Sequence, residues 1–234
     1  MMNRRQLMGQ ITAVATVAAS GLAQAQTSCA VFTKESQSAV TPDAALQRLK
    51  DGNARFVAGK TVNCDLMKQV KETADAQAPF ATIVGCIDSR VPPELVFDQR
   101  IGDIFAARIA VNFVNTDIIG SLEFATLAAG SKLIVILGHS ECGAVKGAVD
   151  NVKLGNLTAT LANIRPSLEK LNYTGVPSSK NKELVQKVAD QNAKDAAAMI
   201  MKKSEVIAKL VAEGKVKIVS AMHDLKTGKI SWFA

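Results

Sequence analysis

Three short runs of the chain are apolar almost without interruption: Phe80 to Gly85, Ile104 to Ile109 and Leu133 to Leu137. None alternates apolar with polar residues, as a strand with one wet face would. Strands of this kind are buried on both faces, which in a sheet means parallel neighbours with helices packed above and below. The intervals agree. Val114 to Ala129 carries Ile118, Leu122 and Leu127 at helical spacing with no proline, so strand, helix and strand follow one another with short links, the order of an open α/β sheet.

The flanking segments extend this reading. Thr41-Pro42-Asp43 is a helix start, with a threonine cap and proline in the first turn, leading into Leu46, Leu49, Phe56 and Val57 and stopping near Gly59. A polar helix is expected over Asp65 to Gln77, and further helices over Leu157 to Leu171 and Lys182 to Ala212, separated by the turn-rich Asn172 to Asn181. Val216 to Met222 and Lys229 to Phe233 read as a closing strand pair around the turn Lys226-Thr227-Gly228. The expected fold is α/β: a parallel β-sheet core of about four strands plus an antiparallel C-terminal strand, flanked by helices, with an N-terminal helical arm. With no internal repeat and no low-complexity linker, one domain over residues 41–234 is preferred, preceded by an extension over 26–40.

The first 25 residues read differently. Met1-Met2-Asn3-Arg4-Arg5 is a cationic start, Leu7 to Ala23 is small and apolar, and Ala23-Gln24-Ala25 is a cleavage pattern, together the marks of a removable export signal. The run is too rich in Ala, Thr and Gly, and Gln10 too polar, for a spanning anchor, so no stable membrane insertion is expected once the signal is removed. Arg4-Arg5-Gln6-Leu7 partly matches a twin-arginine signal. A periplasmic or otherwise exported protein is expected, with that route as one candidate path.

Net charge is +7, with 28 basic residues spread among 21 acidic ones. A nucleic-acid binder is not expected: two of those charges lie in the signal, and one Trp and one Tyr offer little to stack bases on. Four cysteines and two histidines are too few for a disulfide scaffold of this length but enough for one metal site. Cys86 ends the first apolar run and opens Cys86-Ile87-Asp88-Ser89-Arg90, a Cys-x-Asp-x-Arg pattern. The third run ends in Gly138-His139-Ser140-Glu141-Cys142-Gly143, a His-x-x-Cys pair. Both lie at carboxyl ends of expected parallel strands, the edge where open α/β sheets bind ligands. Two thiolates and an imidazole suit zinc, and three protein ligands leave the fourth tetrahedral position open, as in catalytic sites. Each part alone has an ordinary structural reading, a core cysteine or a surface ion pair. Their coincidence at matched strand ends makes the site.

These residues resemble a β-class carbonic anhydrase of the exported bacterial type. The resemblance is carried by Cys86, Asp88, Arg90 and Val91-Pro92-Pro93-Glu94, and by His139-Ser140-Glu141-Cys142-Gly143. It extends to Gly52-Asn53-x-x-Phe56, Gly102-Asp103-Ile104-Phe105 with Arg108, and Asp224-Leu225-Lys226-Thr227-Gly228. It implies one Zn²⁺ per subunit held by Cys86, His139 and Cys142, with Asp88 and Arg90 as the catalytic pair; in some members the same aspartate becomes the fourth zinc ligand in a closed state. It implies substrate contacts at Gln77, reaching in from the neighbouring subunit, at Phe105 and Phe124 as apolar walls, and at Gly143. It implies reversible hydration of carbon dioxide to bicarbonate and a proton, by attack of zinc-bound hydroxide, in a homodimer or a dimer of dimers. Ala110 and Val111 depart from the Arg-Asn-x-Gly-Asn sequence common after Arg108, which bears on the pocket's shape. Two alternatives stand beside this: hydrolysis of carbonyl sulfide or carbon disulfide on the same scaffold, and a non-catalytic zinc or anion-binding module. His223, left outside the ligand set, is the one histidine left for proton relay but is read in preference as a surface or packing residue, and Cys29 and Cys64 either pair or stay free.

Overall fold

The chain enters the fold through a short helix, α1 (Lys34–Ala39), capped by Thr33, and continues into α2 (Pro42–Val57), where the Thr41 hydroxyl accepts from the Ala44 amide and Pro42 occupies the first turn. The structure is a computed structural model describing residues 29–233; the expected export signal, 1–25, lies outside the described residues. A disulfide joins Cys29 to Cys64, with Cα atoms 5.7 Å apart, resolving the two readings of these cysteines in favour of the pair. Phe32 packs on Phe80, and the buried Gln37 amide donates to the carbonyls of Pro79 and Ala129, so the arm lies against the chain's own core.

Next come α3 (Leu66–Thr73), β1 (Ala81–Cys86), α4 (Pro93–Val96), β2 (Ile104–Ile109) and α5 (Thr116–Glu123), the last running into a π-helical turn, Phe124–Ala128. They are followed by β3 (Leu133–His139), α6 (Gly143–Val149), α7 (Leu157–Ala162), α8 (Arg165–Glu169), α9 (Lys182–Lys203), α10 (Glu205–Ala212), β4 (Lys217–His223) and β5 (Ile230–Trp232). Three expected helices are shorter than the sequence suggests. α3 stops at Thr73 rather than Gln77. The expected helix over 157–171 divides into α7 and α8 at Asn163 and Ile164, with Pro166, which has no amide to donate back to Ala162, in the first turn of α8. The one over 182–212 breaks at Ser204, whose hydroxyl caps α10 by accepting from Ile207 and also donates to Glu123 at 2.6 Å.

The sheet follows the expected plan. Strand order is β2-β1-β3-β4-β5, with the first four parallel and β5 antiparallel to β4. Along β3, Leu133, Val135 and Leu137 enter one core with Leu49, Phe80 and Phe97, while Ile134 and Ile136 enter another with Ile118, Leu122, Ile200 and Ile207. Burial on both faces is what the uninterrupted apolar runs required.

The remaining sequence similarities have structural reasons. A Cβ on Gly52 would lie 1.8 Å from the Phe97 carbonyl oxygen, so α2 approaches α4 only because glycine is there. Asn53 beside it donates to the carbonyls of Val96 and Gly228 and accepts from the Ile230 amide, tying α2 to α4 and to the β4–β5 turn. That turn is wound around Asp224, whose carboxylate accepts from the amides of Lys226 and Thr227, and Gly228 takes φ +73°.

Candidate metal centre

β1 and β3 are parallel neighbours, so their last residues, Cys86 and His139, emerge at the same edge of the sheet. Cys142 returns to them through a tight turn. Glu141 adopts φ +56°, the Ser140 amide donates to the His223 carbonyl, and the Ser140 hydroxyl accepts from the Leu225 amide, fastening the turn to the end of β4. One ligand atom from each of Cys86, His139 and Cys142 lies within 4.8 Å of the others, and all three residues are buried.

The imidazole is already oriented. His139 Nδ1 lies 2.9 Å from the Ser140 carbonyl, which makes it the protonated nitrogen, and Nε2 is left buried with no partner in the protein. A bare ring nitrogen in dry surroundings, facing two thiols, is the donor set that zinc takes. Hydrogen bonding from Cys142, then from His139, pulls the Cys86 thiol down to about 4, and the same contact together with burial pushes Cys142 far above the ordinary thiol range. Cys86 Sγ also accepts from the Val111 amide at 3.3 Å.

Asp88 lies beside the cluster, its Oδ2 3.9 Å from His139 Nε2. Arg90 surrounds the carboxylate with three donors: its own amide and Nε at 2.9 Å to Oδ1, and Nη2 at 2.7 Å to Oδ2. Those bonds hold the Asp88 carboxyl well below the usual carboxylate range. Arg108 supports the loop from behind, Nε donating to the Cys86 carbonyl at 2.9 Å and Nη2 to the Asp88 carbonyl at 2.7 Å. This positioning role, like that of Val111, was not readable from residue type. An arginine inside an apolar run is the one signal that marked the first.

The other expected contacts divide into two groups. Gly143 follows Cys142 directly, is exposed, and would present a Cβ to open space. Gln77, Phe105 and Phe124 do not approach the chain's own cluster. Phe105 is in register with Thr82 while Ile109 is in register with Cys86, and four strand residues span roughly 13 Å. Gln77 lies before Pro79, at the amino edge of the sheet and exposed. Phe105 and Phe124 meet with ring centroids 6.2 Å apart, and Phe124 is 58% exposed. His223 is buried rather than on the surface, in register with His139, with both ring nitrogens unpartnered in the protein, and burial lowers its pKa.

The comparisons with known proteins agree with this geometry. The family model described as carbonic anhydrase matches residues 81–230, from the start of β1 to the start of β5. A carbonic anhydrase of Mycolicibacterium smegmatis is 34% identical over 191 residues, covering 81% of this chain and 92% of the relative. Carbonic anhydrase 2 of Mycobacterium tuberculosis is 33% identical over 194 residues, covering 80% and 91%. Among solved structures, a β-carbonic anhydrase of Aspergillus fumigatus superposes with a TM-score of 0.65 at 27% identity, covering 82% of this chain and 89% of that one. One of two tetrameric β-carbonic anhydrases from Sordaria macrospora gives 0.61 at 26% identity, covering 72% and 90%. The sheet order, the Cys-His-Cys cluster and these likenesses over most of the chain have one common meaning: this is a member of the carbonic anhydrase family, of its β class.

Proposed function

We propose that the chain is a zinc-dependent enzyme that reversibly hydrates carbon dioxide to bicarbonate, with Cys86, His139 and Cys142 holding the metal and Asp88 and Arg90 handling the nucleophilic water. The observation that carries this is the unpartnered His139 Nε2 facing two buried thiols with an arginine-clamped carboxylate 3.9 Å away. Bound there, zinc supplies a Lewis acid that makes water nucleophilic near neutral pH. The protein's part is orientation. An ionised carboxylate only accepts hydrogen bonds, so Asp88 draws one hydrogen of the water toward itself and leaves a lone pair directed at carbon. Arg90 keeps that carboxylate charged and prevents it from turning elsewhere. The open space beside Gly143 admits the substrate.

Gln77, Phe105 and Phe124 complete the pocket of a neighbouring subunit rather than their own, in a homodimer or dimer of dimers. β2 is an edge strand, and Phe124 and Leu127 beside it are exposed, an apolar edge of the kind that pairs with another chain. The tetrameric relative from Sordaria macrospora supports this assembly. Export to an oxidising compartment is the matching location: the Cys29–Cys64 disulfide is of a kind that persists outside the cytosol, and among the described residues no helix is long and apolar enough to cross a membrane. Neither hydrolysis of a sulfur analogue nor a purely binding role gains support from any residue at the site.

Stopped-flow hydration of carbon dioxide across pH, on protein of measured zinc content and on chelator-stripped protein, tests the assignment. Activity proportional to zinc is expected. Zinc-loaded protein inactive at every pH would overturn it.

A further inference from the structure

We propose that Val111 is a positioning residue for the metal, fixing the Cys86 sulfur through its amide and closing an apolar shell over both thiols with its side chain; this rests on the zinc reading above. Val111 has φ +68°, a left-handed conformation that glycine takes freely and a β-branched residue almost never does. Such a conformation persists only where the surroundings over-determine it.

The surroundings are visible. Residues 108–111 cross the end of β1 as a brace: Arg108 donates to the carbonyls of Cys86 and Asp88, the Ile109 carbonyl accepts from the Ile87 amide at 2.8 Å, and the Val111 amide donates to Cys86 Sγ at 3.3 Å. The left-handed conformation thus falls on the residue whose amide meets the sulfur, and it sets where the side chain goes once that amide is engaged. Glycine would deliver the same amide without strain, so the hydrogen bond alone does not account for a valine. The side chain does. It is 1% exposed and belongs to the apolar cluster containing Cys86, Cys142, Val145 and Met222. Its isopropyl group therefore keeps water from the sulfurs, and a thiolate bonded to an amide in dry surroundings releases its metal slowly. Strain is retained because what it holds in place is a seal.

Three variants separate the parts. Val111→Ala keeps a Cβ in the left-handed region but removes both methyls, Val111→Gly removes strain and seal together, and Val111→Ile keeps the branch at Cβ. The readouts are zinc release to an excess of chelator, the thermal midpoint of the stripped proteins, and the thiolate-to-metal absorption of cobalt-substituted protein. Alanine and glycine variants are expected to release zinc about tenfold faster or more, the lower end of the range for residues supporting metal ligands, with a shifted cobalt–thiolate band. The isoleucine variant should release it at close to the parental rate, and stripped Val111→Gly should melt no lower than stripped Val111→Ala. Parental release rates in both small variants would overturn the proposal, as would a glycine variant melting below the alanine one. If the unaltered protein takes up no zinc, the metal reading itself fails and the proposal with it; zinc uptake with unchanged release defeats the proposal alone.

Discussion

Arg108 and Asp88 are joined through the backbone, not through charge: Nη2 of the arginine donates to the aspartate's carbonyl at 2.7 Å, which leaves the carboxylate to Arg90. One arginine fixes where Asp88 stands, the other which way its side chain faces. Asp88→Asn keeps the backbone clamp and the three metal ligands but loses an acceptor-only carboxylate. Full zinc content and a hydration rate lower by about 10²-fold or more are expected, measured by metal analysis and stopped flow on the same sample; an unimpaired rate would remove Asp88 from the reaction.

If Gln77 serves a neighbour's site, two inactive proteins should repair each other. Cys86→Ser has no complete metal cluster but an intact Gln77, and Gln77→Ala has the reverse. Dissociated, mixed and reassembled, they should form pairs with one complete site and recover up to half the parental rate per mixed dimer. No recovery above the sum of the separate proteins would place Gln77 in its own subunit's site.

The Cys29–Cys64 bond spans 35 residues. Chain-entropy reasoning assigns a loop of that length about 3 to 4 kcal/mol of stability. Denaturant unfolding of the Cys29→Ser/Cys64→Ser double variant should show a loss of that order, with zinc content unchanged because neither cysteine belongs to the Cys86, His139 and Cys142 group.

Asp195 supplies a test of acid behaviour far from the metal. Burial raises its pKa, but bonds from Lys170 at 2.6 Å, Ser167 at 2.8 Å and Gln191 at 2.9 Å outweigh it, and the net shift is downward. A carboxylate depressed in the folded state stabilises the fold above its unfolded value, near 3.9, and loses that contribution as pH falls through the folded value. Asp195→Asn should therefore lower stability by about 0.5 to 1 kcal/mol at pH 7, its lysine partner being screened by solvent, with the difference shrinking below about pH 4. A difference independent of pH would mean that the charge contributes nothing.

Gly52→Ala should be severely destabilising, since its Cβ would fall 1.8 Å from the Phe97 carbonyl oxygen, a backbone atom that cannot yield without moving α4. A loss of about 3 kcal/mol is expected in denaturant unfolding, against a gain of about 0.5 to 1 kcal/mol for alanine at the exposed Gly120 inside α5, where a Cβ meets nothing within 4 Å.

The sheet and the metal cluster were legible because each leaves a mark on consecutive residues. Doubly buried strands must be apolar throughout, and ligands at strand ends must fall where those runs stop, as Cys86 and His139 do. Features that depend on a distant partner were not. Ser204 breaks a long helical pattern through a bond to Glu123, a residue far back in the sequence. Gln77, Phe105 and Phe124 could be matched to a family pattern, but it takes the register of β1 on β2 to show Phe105, with Phe124 against it, away from the Cys86 end of the sheet. The left-handed backbone of Val111 is hidden for the same reason: residue identity argued against it, and the brace across β1 imposes it.

The turn through Ser140 is held by β4, with a bond to the His223 carbonyl and another from the Leu225 amide, and the His139 ring is held by the Ser140 carbonyl. None of these attachments involves the metal. The centre is thus preorganised by the backbone, and an ion entering it meets donors already facing inward. Metal exchange in such a protein is expected to take place within a finished fold and to reverse without refolding, unlike a zinc finger, whose ion must arrive before there is a structure to receive it.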